Sequence, residues 1–292
     1  MQARSGEQPD VPAKRPYVFP KTLVEEIKVG TELGMNVALT GPTGCGKTTL
    51  PISLAAELNH PLIRFNCHGE TRVSNMVGMD RPAVKDGVLT LVFSAAALVK
   101  AMRLGYWVVF DEIDAALPAV LFTLQPVLEE GNRRLYIPET GEEVVAAPGF
   151  QIFATGNTFG YRSTARANHS GTNQMNDAFV DRFGMVVAVD YPDEDEEHAR
   201  ITANCPNVHD IAVRGIARTA ADLRTDTAFR ADFSTRRCVQ WARLVPEFSG
   251  KNEVDGILRA AECAVLRKLK SPTDAEVARQ VINRTFGYGA GG

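Results

Sequence analysis

From about Thr22 to Tyr191, short apolar runs alternate with helix-like stretches, the pattern of an α/β domain built on a parallel sheet. Five runs read as strands: Asn36-Val37-Ala38-Leu39-Thr40, Leu62-Ile63-Arg64-Phe65, Trp107-Val108-Val109-Phe110, Gln151-Ile152-Phe153-Ala154-Thr155 and Met185-Val186-Val187-Ala188-Val189. Each ends in turn-forming or charged residues, and open α/β sheets bind ligands at that carboxyl end. Two insertions interrupt the alternation. Val84–Leu89 holds Asp86-Gly87 between apolar positions, a short-range hairpin signal, and Leu135–Val145 reads as a second hairpin with a longer loop. After Tyr191-Pro192 the pattern is helical throughout. Val254, Ile257, Leu258, Ala261, Val265 and Leu269 fall on one helical face. Ser271-Pro272 predicts a capped helix start with proline at its first position. The expected organisation is a tail over 1–20, ordered only near Tyr17-Val18-Phe19, then an α/β domain over 21–191. A helical domain over 192–286 and a flexible end over 287–292 follow.

Composition narrows the class. With 292 residues and 45% hydrophobic content the chain can bury a core, which excludes disorder as its main description. Lys+Arg 32 against Asp+Glu 35 leaves a net charge of −3, which argues against affinity resting on a broad basic face for nucleic acid but leaves room for a local patch. No apolar run approaches the roughly 20 residues of a membrane span. Charge near the N-terminus is not followed by an apolar stretch, so no signal peptide is expected. Cys45, Cys67, Cys205, Cys238 and Cys263 are scattered without C-x-x-C and read as reduced thiols of a cytoplasmic protein. The acidic run Asp193–Glu197 reads as a solvated helix start, where acids complement the helix dipole.

Gly41-Pro42-Thr43-Gly44-Cys45-Gly46-Lys47-Thr48, with Thr49 following, fits G-x-x-x-x-G-K-[ST] at every fixed position. It lies between a predicted strand and a predicted helix, the context of a phosphate-binding loop. Glycines let backbone N–H groups wrap phosphate oxygens at a helix N-terminus. Lys47 supplies a point charge to the β- and γ-phosphates, and the Thr48 hydroxyl is placed to ligate Mg²⁺. A dinucleotide fold is disfavoured because no third glycine follows Gly44 and Gly46. Downstream, the strand Trp107–Phe110 ends in Asp111-Glu112. An acid at the end of a neighbouring strand suits a phosphate-bound Mg²⁺, so Asp111 is the candidate metal ligand. Glu112 is the candidate base that polarises the attacking water. Asp114 either faces the site or, the better reading, caps a helix over Ala115–Leu128.

Together these motifs resemble the AAA+ ATPases, and in detail the MoxR branch, most closely its CobS-type cobaltochelatase subunits and, more distantly, CbbQ/NorQ-type activators. The likeness runs through Gly41–Thr48, Val77-Gly78 with the Lys85-Asp86-Gly87 hairpin, Val109–Asp114 and Phe153–Thr158. It continues with Gly171-Thr172, Gln174, Asn176, Asp181-Arg182 and Ser234-Thr235-Arg236, and so covers about residues 17 to 287.

The resemblance implies an AAA+ P-loop fold, the two hairpins as a helix-2 insert and a pre-sensor hairpin, and a C-terminal helical lid. It implies ATP and Mg²⁺ as cofactors and a homo-oligomer, most often a hexameric ring. It also implies a protein partner, one with a von Willebrand A domain or a metal-chelatase subunit. Asn157 takes the place of the sensor that orients water, Arg182 that of an arginine finger reaching the neighbouring subunit, and Arg236 that of the lid sensor. Ser234-Thr235-Arg236 departs from the family's Ser-Pro-Arg and Arg237 follows, so both arginines stand open for that role. Tyr17 and Val18 would flank the adenine. The alternative is a nucleic-acid motor of McrB or helicase type, against which stand the net acidity and the lack of aromatic–basic interleaving. The hairpin loops, with Lys85, Asp86, Glu139, Glu142 and Glu143, read as short and polar, which fits remodelling of a folded partner.

Overall fold

The computed structural model describes residues 10–85, 87–157, 159, 175–249 and 253–287. Asp86, Thr158, Gly171, Thr172 and Gln174 of the motifs above lie outside them, as does the side chain of Lys85.

Nine strands are present among the described residues: β1 Val37–Thr40, β2 Leu62–Asn66, β3 Gly78–Lys85, β4 Val88–Ala95, β5 Trp107–Asp111, β6 Arg134–Ile137, β7 Glu142–Val145, β8 Gln151–Gly156 and β9 Met185–Ala188. Five form one parallel sheet in the order β2-β5-β8-β1-β9. The three inner strands, β5, β8 and β1, are buried along their whole length. That burial is why they read as unbroken apolar runs: a parallel sheet covered on both faces has no polar side to alternate with. The order matters for the site. It seats β8 between β5 and β1, so the carboxyl ends of three strands far apart in sequence meet. Around the sheet pack Leu98, Met102, Leu124, Val127, Phe110 and Ile152, all buried in one core.

Asp10 and Lys14, ahead of Tyr17, already have partners in the α/β unit. The Asp10 carbonyl accepts the Leu62 N–H at 2.9 Å, Asp10 pairs with Lys100 and Lys14 pairs with Glu57. β2 is an edge strand with backbone donors to satisfy, and the Asp10 carbonyl takes the first of them.

Both hairpins exist. The second is the short ladder β6–β7, where Glu142 and Glu143 are tied to Arg103 and Arg134. The first is longer than the Asp-Gly signal suggests, pairing Gly78 with Ala95 through to Lys85 with Val88. Its arms are also not polar. Val84 faces Leu89 and Pro82 faces Leu91 across the ladder, which puts these four on one face of the ribbon. Val84, Leu89 and Leu91 are 72%, 73% and 67% exposed.

The chain forms two compact units, the second comprising 16–18, 42–46 and everything from Asp190 onward. From Glu194 that unit is helical, with helices Glu194–Asn204, Asp210–Thr225, Thr235–Phe248, Glu253–Ala264 and Pro272–Phe286. Its core is built on Phe229, Phe233, Ile216, Ile257 and Trp241, whose indole N–H donates to the Ile257 carbonyl. The helix carrying Ile257 and Ala261 ends at Ala264; Val265 is still buried, but Leu269 follows a short 3-10 turn. Ser271 caps the last helix through the Asp274 N–H, with Pro272 in its first turn.

The acidic run is only partly a solvated start. Asp193 caps its helix through the Glu196 N–H at 2.8 Å, but Glu197 is fully buried. Arg224 pairs with it at 2.6 Å and the Thr235 hydroxyl donates to it at 3.1 Å. Four residues after the cap, Glu197 has rotated to the inner face of the helix, where a charge persists only with such partners.

Candidate functional site

The loop after β1 starts at Gly41, and the helix Thr49–Glu57 begins one residue beyond Thr48. Gly44 and Gly46 have φ of 73° and 114°, backbone that side chains rarely adopt. A Cβ on Gly44 would also meet the Ser234 Cβ at 2.6 Å, so the second unit needs glycine there on two counts. In that unit the Tyr191 hydroxyl donates to the Thr43 carbonyl at 2.8 Å, and Arg200 donates to the Cys45 carbonyl at 3.3 Å. Tyr17 stands beside Gly46, and burial, partly offset by Arg200, pushes its phenol up to about 12. Cys45 is itself buried, which removes its thiol from solvent oxidants.

In the first unit the chemistry converges at the strand ends. Lys47 Nζ donates to the Gly41 carbonyl at 2.7 Å and to Asn157 Oδ1 at 3.0 Å. Thr48 Oγ1 donates to Asp111 Oδ1 at 2.5 Å, and Thr155 Oγ1 donates to the same oxygen at 2.5 Å. Arg64 donates to Asp111 Oδ2 through Nε at 3.0 Å and through Nη2. Burial raises the Asp111 carboxyl, but the hydrogen bonds from Thr155, Thr48 and Arg64 and the guanidinium charge outweigh it and hold the group below the usual carboxylate range. Next to it, burial and then the neighbouring carboxylates push the Cys67 thiol up to about 12, leaving it a neutral packing group.

Glu112 leaves β5 in the left-handed region, φ 54° and ψ 46°. A non-glycine residue there is uncommon, and such backbone clusters at functional sites. The Glu112 N–H donates to Thr155 Oγ1 at 3.1 Å, and its side chain is exposed while Asp111 is buried. The turn at Glu112 thus aims two adjacent carboxylates apart.

Asp114 does not cap the following helix. That helix runs Pro118–Leu128 with Leu117 at its N-cap, because Pro118 suits a first turn and starts it there. Asp114 is instead fully buried, and its Oδ2 accepts the Asn157 N–H at 2.8 Å. The carboxylate three residues beyond Asp111 therefore fixes the turn that carries Asn157.

Three further residues singled out from sequence have surroundings of their own. Arg182 follows the short helix Asp177–Val180; its guanidinium pairs with Glu129 and its carbonyl accepts from Asn36 Nδ2 at 2.9 Å. Arg236 is exposed in the first turn of Thr235–Phe248. Arg237 is half-buried over the Phe233 ring at 5.6 Å, and burial lowers its pKa. Thr155 and Arg64 were not singled out from sequence as site residues. The available signals were a polar residue ending one apolar strand and a lone charge inside another.

Residues 36–183 match the family model described as AAA domain (dynein-related subfamily). The chain belongs to the AAA+ ATPases. Within them it is MoxR-like. It is 32% identical to the aerobic cobaltochelatase subunit CobS of Sinorhizobium sp over 77% of this chain and 70% of that one. An uncharacterized protein of Staphylococcus saprophyticus is 35% identical over 91% of this chain and 96% of its own length. The fold is shared with the RuvB Holliday junction branch migration motor of Thermotoga maritima. That likeness has a TM-score of 0.53 at 16% identity and covers 87% of this chain and 70% of that one. As an AAA+ domain the chain is built to bind and hydrolyse ATP.

Proposed function

We propose that this chain is a magnesium-dependent ATPase that works as a ring, most simply a hexamer, and remodels or activates a protein partner. The observation that carries the reading is the meeting of Lys47, Thr48, Asp111 and Asn157 at the ends of β1, β5 and β8, with Glu112 turned away from Asp111. Lys47 would exchange Gly41 and Asn157 for the β- and γ-phosphates. Thr48 and Asp111 would hold Mg²⁺: a hydroxyl and one carboxylate, oxygens only and already in contact, suit an ion that keeps waters and takes its other ligands from phosphate. Bound there, the ion neutralises charge on the phosphate oxygens. Glu112 would draw the proton of the attacking water, and Asn157, held by Asp114, would orient that water.

Arg182 would act on the ATP of the neighbouring subunit, leaving Glu129 to do so, because a guanidinium stabilises charge spreading over the transferred phosphoryl group. Arg236 would serve the γ-phosphate from the lid. By its likeness to CobS, the chain would be the motor subunit of a larger complex, of metal-chelatase type or one that activates an enzyme through a von Willebrand A partner. Phosphate release with and without the candidate partner, and with DNA, tests this. Stimulation by the protein is expected; stimulation by DNA alone would replace the partner reading with that of a nucleic-acid motor.

A further inference from the structure

Arg64 has no role in the account so far, yet it holds the residue on which the metal site depends. The Asp111 carboxylate is only 6% exposed, so its charge needs a partner inside the protein. The Thr48 and Thr155 hydroxyls share Oδ1 and supply hydrogen bonds without neutralising it. Among the described residues Oδ2 goes to Arg64, through Nε at 3.0 Å and the ion pair at Nη2. The guanidinium reaches there diagonally. Arg64 stands opposite Val109 on β5, and Asn66 stands opposite Asp111. Ile63 and Phe65 on the same edge strand pack against the core, so the strand stays in place whatever Arg64 does. The Arg64 side chain is 52% exposed, and solvent can receive it.

We infer that Arg64 is a positioning residue that serves as the resident cation of Asp111 when no metal is bound, and that it exchanges with Mg²⁺ as the metal–nucleotide complex enters. This rests on the proposed metal role of Thr48 and Asp111. The physical case is charge balance. A buried carboxylate without a counter-charge is strongly unfavourable. A dication arriving at the same carboxylate supplies that charge and repels the guanidinium beside it. Arg64 therefore pairs with Asp111 and holds it aimed until the metal arrives, and competes with the metal for it.

The test uses the full chain and its Arg64→Gln and Arg64→Lys variants, with a fluorescent ADP analogue titrated in EDTA and at rising Mg²⁺. In EDTA the variants should bind the analogue as the wild type does. Removing the charge should lower the Mg²⁺ concentration at half-maximal effect by about two- to fivefold, the range expected for a half-exposed ion pair. Arg64→Lys, which keeps the charge, should stay near wild type. Melting of the metal- and nucleotide-free protein should be earlier for Arg64→Gln, and saturating Mg²⁺–nucleotide should abolish the difference. An unchanged or higher Mg²⁺ requirement overturns the inference, as does a melting deficit that persists in the loaded protein, the mark of an ordinary structural ion pair. A wild type that binds the analogue with no Mg²⁺ dependence overturns the metal site itself, a failure visible before any variant is compared.

Discussion

Lys47 Nζ lies 3.0 Å from Asn157 Oδ1, joining the phosphate-loop lysine to the turn after β8. The same amino group donates to the Gly41 carbonyl. An incoming phosphate therefore competes with the neutral oxygens of Gly41 and Asn157, a contest that a charged ligand wins. Turning Asn157 into an anion should spoil it. Asn157→Asp should weaken ATP binding roughly ten- to hundredfold, the value of one hydrogen bond to a charged group. Asn157→Ala should bind ATP about as well as wild type and release phosphate at least about tenfold more slowly, as when a group that acts on the transition state is lost. Equilibrium titration beside a phosphate-release assay separates the two. Wild-type affinity in Asn157→Asp would show that the lysine does not choose between them.

Asp114 provides a control on the same turn. Asp114→Ala removes the acceptor of a part-buried backbone N–H, a loss worth about 1–3 kcal/mol at most. Melting temperature should fall, and kcat should fall with it because Asn157 loses its anchor. A helix cap, the role expected from sequence, would lower stability and leave kcat alone. The ratio of the two effects decides between these roles.

Arg182 is paired with Glu129 of its own chain, and a finger acting on a neighbouring subunit has to leave that carboxylate. Arg182→Ala should bind ATP normally and hydrolyse poorly. Mixed with Lys47→Ala protein it should regain activity, because some interfaces then combine an intact phosphate loop with an intact finger. Rings that exchange subunits yet show no rescue would place the arginine's action within its own chain, or nowhere in the reaction.

The first hairpin presents Val84, Leu89 and Leu91 to solvent on one face. Replacing all three by serine should change stability little, since exposed positions usually move it by less than about 0.5 kcal/mol each. Basal hydrolysis should persist while stimulation by the partner disappears. Loss of basal hydrolysis to the level of a catalytic variant would make the ribbon part of the ATPase machinery.

The five sheet strands are legible as short apolar runs because burial on both faces removes alternation. The phosphate loop is legible because phosphate geometry constrains its spacing. What escapes is whatever depends on register or on a partner far along the chain. Thr155 and Arg64 reach Asp111 only because β8 and β2 flank β5, an order that local pattern does not encode. Glu197 looks solvated until Arg224, on the next helix, is placed against it. Asp114 precedes an apolar helical stretch as a cap would, but Pro118 moves the helix start and frees the carboxylate for Asn157. The apolar arms of the first hairpin were hidden because exposed and buried alternation look alike in sequence.

Glu112→Gln separates nucleotide binding from hydrolysis at the residue assigned as the base. The left-handed turn leaves the Glu112 side chain exposed beside the buried Asp111, and an amide of the same shape cannot accept the water's proton. ATP retention and phosphate release would be measured on one preparation. ATP should bind at wild-type affinity while hydrolysis slows by about two to four orders of magnitude, the range of a lost general base. Turnover at the wild-type rate would contradict that assignment, since the base, and with it the division of labour between Asp111 and Glu112, would lie elsewhere.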